Sequence, residues 1–96
     1  MAKSRHYKLR MPDDLAELVR GMHPSLKKKV RTSLETILSD PGSGKALKND
    51  LAGLRSFRVG RFRIIYKVSR REAQIVAIGP RSRIYEETFR LIKRSK

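Results

Sequence analysis

The stretch LRSFRVGRFRIIYKV, residues 54–68, decides the fold. Apolar and polar residues alternate on either side of Gly60-Arg61, which signals two half-buried strands rather than a helix. Gly60 suits the first, positive-φ position of a two-residue hairpin turn. With that turn, Val59 pairs with Phe62, Arg58 with Arg63, and Phe57 with Ile64. Phe57, Val59, Phe62, Ile64, Tyr66 and Val68 then share one face, the expected core side. The next strand is EAQIVAIG, reached through a turn in SRRE (69–72); turning at Arg70-Arg71 adds Ala73, Ile75 and Ala77 to the core face. The other face holds Arg58 across from Arg63, with Ser56, Ile65, Lys67 and Ile78 around them. Like charges directly opposite each other weaken a sheet by roughly 0.2–1 kcal/mol. A bound anion that neutralises both guanidinium groups accounts for the pair, and a phosphodiester fits.

Upstream of residue 54 the period is that of helices. Pro12, then Asp13 and Asp14, suit a helix start, with the acids against the positive end of the dipole. Leu15, Leu18, Val19 and Met22 mark one face of that helix. SLKKKVRTSLETILSD (25–40) lines Leu26, Val30, Leu34, Ile37 and Leu38 along a stripe and should be the longest helix, antiparallel to the first. HYKLRM (6–11) alternates as a first strand, and DPGSGKALKNDLAG (40–53) reads as a loop or partial turn. RIYEETFRLIK (83–93) suits a short closing helix, with Ile84, Thr88, Leu91 and Ile92 near one face. His6 and His23 are expected at the surface or at helix caps. The expected fold is therefore α+β, in the order β-α-α-β-β-β-α. A mainly antiparallel sheet of about four strands carries the helical hairpin on one face, all within one domain spanning residues 1–96.

Charge points to the partner. Across 96 residues, 24 Lys and Arg stand against 9 Asp and Glu, a formal net charge of +15. Such an imbalance repels itself and favours a polyanion, nucleic acid first, whose phosphates release counterions on binding. Without cysteine and with only two histidines, thiolate and histidine-rich metal centres are excluded. No stretch approaches the roughly 18 consecutive apolar residues of a membrane span. The charged N-terminus lacks the apolar run of a secretory signal, so a cytoplasmic location is expected.

GPRSRIYEE (79–87) completes the pattern: Gly79-Pro80 ends the last strand, and Arg81, Arg83 and Tyr85 follow. Together, LKNDLAGLRSFRVGRFRIIYKV (47–68) and VAIGPRSRIY (76–85) resemble the RelE/ParE toxin superfamily, on its RelE side, over almost the whole chain. The resemblance implies a toxin held in check by a cognate RelB-like antitoxin, with operator DNA met only through that antitoxin. It implies entry into the ribosomal decoding site and metal-independent cleavage of messenger RNA by the ribose 2′-hydroxyl. Carried over by motif, the catalytic positions fall on Arg58, Arg63, Arg81 and Tyr85. Arg55, Arg61, Lys67, Arg83 and Lys48 are expected as RNA contacts.

One departure from the family pattern concerns proton transfer. RelE carries two lysines on the strand where this chain has Ser56 and Arg58, and a guanidinium essentially never gives up its proton. Tyr85 is thus the expected proton acceptor. Two rival readings share the fold or the charge. One is a ParE-like toxin acting on DNA gyrase without the nuclease residues; the other is a basic nucleic-acid-binding module that never cleaves.

Overall fold

The structure, a computed structural model, describes residues 7–94. Strand β1 (Lys8–Arg10) leads into helices α1 (Asp13–Arg20) and α2 (Pro24–Ser39). A short strand β2 (Lys45–Ala46) lies between two single 3₁₀ turns, followed by β3 (Arg55–Val59), β4 (Phe62–Ser69), β5 (Glu72–Pro80) and α3 (Ile84–Arg94). The sheet has five strands in the order β1-β5-β4-β3-β2, with β1 parallel to β5 and the remaining pairs antiparallel. The expected class and element order hold. The fifth strand is β2, two residues long and hidden in what the sequence presents as a loop; two residues cannot display a period.

The β3–β4 register is the expected one: Phe57 faces Ile64, Arg58 faces Arg63 and Val59 faces Phe62. Gly60 takes φ +60° at the turn, a conformation that disfavours a Cβ. One core lies between the sheet and the α1–α2 pair, where Val19, Val30, Leu34 and Ile37 meet Val59, Ile64, Tyr66 and Ile75. Leu15 and Met22 pack against this core, but Leu18 is 46% exposed, so it stands at the margin of the α1 stripe rather than within it. His23 caps α2 by accepting a bond from the Ser25 amide at 3.2 Å; His6 lies outside the described residues.

Strand β5 departs from strict alternation. Tyr66 pairs with Ile75 while Ile65 pairs with Ala77, so Val76 is an extra residue and the side-chain parity reverses. Ala77 therefore leaves the expected core face and Ile78 enters it. Ala77 joins Leu54, Ile65 and Ile84 in a second core, formed where α3 covers the opposite face of the sheet. That face is consequently half covered, and the arginines lie beside the helix rather than on an open sheet.

Tyr66 is fully buried, as its parity implies, and its hydroxyl holds the segment ahead of β2. It donates to the Pro41 carbonyl at 2.7 Å and accepts from the Gly44 amide at 3.0 Å. Tyr66→Phe removes both bonds and strands a buried amide, at a cost of about 1–3 kcal/mol. Urea unfolding should register that loss as a lower midpoint with an unchanged slope.

Candidate functional site

The site is built from one row of the sheet outward. Arg58, Arg63 and Gly79 are successive Cα partners across β3, β4 and β5. The neighbouring row runs Lys45, Ser56, Ile65 and Ala77. Gly79 has no side chain to hold α3 away, and a Cβ there would stand 3.1 Å from Ile84 Cδ1. The first turn of α3 can therefore lie close over β5, which carries Tyr85 to the middle of the face.

Ser56 is the meeting point. It is only 2% exposed, and its hydroxyl lies 3.0 Å from the Tyr85 hydroxyl. A longer bond of 3.4 Å reaches it from Arg63 Nη1. Arg63 Nε is buried and has no hydrogen-bond partner. A buried guanidinium N–H without an acceptor is costly, and an anion held by Arg63 would compensate the charge of that guanidinium. Among the described residues, ion pairs join Arg10 to Glu72, Arg83 to Glu87 and Arg90 to Glu86; none reaches Arg58, Arg61, Arg63 or Arg81. Among the described residues, no carboxylate pairs with the arginines of the site.

Arg58, Arg61 and Arg81 line a depression of about 510 Å³ beside this cluster. The Arg81 amide donates to the Arg61 carbonyl at 2.8 Å, which ties the turn after β5 to the β3–β4 hairpin. A second depression, about 370 Å³, is lined by Lys45, Lys48, Leu47 and Leu51 together with Tyr85. Tyr85 thus borders the lysine-lined hollow, while the arginine-lined one lies at the β3–β4 turn.

The remaining expected contacts divide. Arg61 and Lys48 come to the two hollows. Arg55 does not: it alternates to the α1–α2 face, where its Nη1 donates to the Gly44 carbonyl at 2.6 Å, a structural post. Lys67 shares the face of Arg63 but lies four residues along β4, about 13 Å away at strand rise, beside the far end of α3. Arg83 is exposed before α3 and points to Glu87 at 4.0 Å. Two residues gain importance only here. Ser56 marks, in the sequence, no more than the place of an absent lysine; Lys45 belongs to a strand too short to recognise.

Comparisons with known proteins fit this architecture. Residues 7–85 match the family described as the ParE toxin of the type II toxin–antitoxin system parDE. Among curated proteins, none matches significantly. Among solved structures, the chain is similar to one from the RelBE2 toxin–antitoxin complex of Mycobacterium tuberculosis, with a TM-score of 0.70 and 21% identity over 83% of this chain and 99% of that one. It is similar to one from the archaeal RelE–RelB complex of Pyrococcus horikoshii, with a TM-score of 0.67 and 17% identity over 82% and 99%. A free mutant of the E. coli toxin RelE gives a TM-score of 0.73 at 14% identity over 94% and 98%. At these identities the likenesses establish the fold.

Proposed function

The chain belongs to the ParE toxin family of type II toxin–antitoxin systems, and from that premise we propose that it is a ribosome-dependent endoribonuclease. Its substrate is messenger RNA in the decoding site, and the ribose 2′-hydroxyl serves as the nucleophile. The observation that carries this reading is the Arg63–Ser56–Tyr85 cluster, with a buried Arg63 Nε that lacks an acceptor. Tyr85 takes the proton of the 2′-hydroxyl. Arg63 and Arg81 hold the scissile phosphate and stabilise the charge that develops on it, with Arg58 assisting. A plain binding module has no need of a phenol at that position.

The cognate partner is an antitoxin, an acidic or amphipathic chain that neutralises the basic face; operator DNA is met through it. RelE–RelB pairs among the similar solved structures support this partner class.

A second reading takes its support from the ParE description of the matched family: a toxin directed at DNA gyrase. Induced expression, followed by primer extension on a reporter messenger, separates the two. The nuclease reading expects growth arrest and cuts phased to ribosomes. It also expects Arg81→Ala to lower cutting on the order of 10²-fold, as for loss of one anion-stabilising donor. Growth arrest with gyrase-linked DNA breaks and an uncut messenger would sink it.

A further inference from the structure

Cleavage by a 2′-hydroxyl needs two proton movements: one away from the nucleophile, and one toward the 5′-oxygen that leaves. The arginines cannot supply the second, because a guanidinium keeps its proton throughout. Tyr85 is committed to the first. A second exchangeable proton must come from elsewhere on the same face, and β3 carries no lysine.

We infer that Lys45 is the general acid of this site, an inference that rests on the ribonuclease reading above. Lys45 is the Cα partner of Ser56 across the β2–β3 pair. Directly paired residues project from the same face with Cβ atoms about 4.5–5.5 Å apart. Lys45 therefore adjoins the serine whose hydroxyl meets Tyr85, and it lines the same hollow as the phenol. Its exposed side chain has no ion pair among the described residues.

The backbone around it is held firmly for so short a strand. Gly44, one residue before, is bonded through its amide to the Tyr66 hydroxyl and through its carbonyl to Arg55. Two residues after, the Leu47 amide donates to the Leu54 carbonyl at 2.9 Å. A lysine carried on an anchored edge strand is presented to the site rather than left to wander. Lys48 shares the hollow but has no strand partner that aligns it with Ser56, and Lys67 belongs to the far end of the face.

In the step itself, the 2′-oxygen bonds to phosphorus as its proton passes to the Tyr85 phenolate. The bond from phosphorus to the 5′-oxygen breaks, and that oxygen takes a proton from the Lys45 ammonium. The products are a 2′,3′-cyclic phosphate and a 5′-hydroxyl. Lys45 ends as the amine and Tyr85 as the phenol, so protons and charge balance.

The test uses ribosomes programmed with two messengers, one ordinary and one with sulfur replacing the 5′-bridging oxygen at the cut. A thiolate leaves without being protonated, so it removes the need for an acid. Lys45→Ala and Lys45→Arg are both expected to cut the ordinary messenger on the order of 10²-fold more slowly than wild type. Both should return to within several-fold of wild type on the sulfur-substituted one. A Lys45→Arg protein with the wild-type rate would reduce Lys45 to a simple charge, and equal impairment on both messengers would make it a binding residue; either overturns the inference alone. A wild-type chain that cuts neither messenger overturns the ribonuclease reading as well.

Discussion

Tyr85→Phe is expected to slow messenger cleavage on ribosomes by on the order of 10²-fold or more, the usual contribution of a positioned acid or base. The substitution removes one oxygen and little else. Tyr85 packs against the cluster formed by Leu54, Ile65, Ala77 and Ile84, and phenylalanine preserves that packing. Ser56 loses its bond to the phenol but keeps the longer one from Arg63. The loss in stability should therefore stay near 1 kcal/mol, the net value of an ordinary hydrogen bond. A single-turnover assay beside a thermal melt checks both halves. A fully active Tyr85→Phe protein would remove the proton-acceptor role, whatever its stability.

Arg63→Met is expected to move activity and stability in opposite directions. The methionine keeps an unbranched apolar stem but offers no donor to a phosphate, so cleavage should fall by about 10²–10³-fold. Stability should not fall with it. Arg63 lies directly opposite Arg58, no carboxylate among the described residues pairs with either, and its Nε is buried without an acceptor. Relief of the like-charge pair alone is worth roughly 0.2–1 kcal/mol, a gain that should shrink as salt screens the exposed partner. A residue kept for packing would show the reverse pattern, destabilised and still active. Arg63→Lys should recover little cleavage, since an ammonium cannot reproduce the two-pronged grip of a guanidinium on phosphate.

The β3–β4 hairpin was legible because its two strands alternate cleanly about a glycine that disfavours substitution at φ +60°. The Arg58–Arg63 pair follows from that register by counting. Strand β5 was harder for a physical reason. From Ile75 to Gly79 it is covered on both faces, by α1 and α2 on one side and α3 on the other, so IVAIG reads as a continuous apolar run. Such a run has no parity to betray a bulge, and Ala77 and Ile78 exchanged faces at Val76. Strand β2 was invisible because two residues have no period, and Lys45 was hidden with it. Arg55 and Lys67 show the same limit from another side. Both are basic residues in the right segment, but one alternates to the wrong face and the other lies too far along the strand.

The sequence by itself determined the α+β class, the hairpin register, the opposed arginines and the excess of positive charge. These depend on local alternation, turn chemistry and composition, which act over a few residues or over the whole chain at once. Only the tertiary structure decided which face α3 covers, that Tyr85 meets Ser56 across 29 positions of chain, and that Lys45 adjoins them. Those placements come from the packing of Ile84 over Gly79 and the anchoring of Gly44 by Tyr66. Contacts so distant along the chain leave no periodic trace in it, because each depends on two surfaces fitting together rather than on the residues between them.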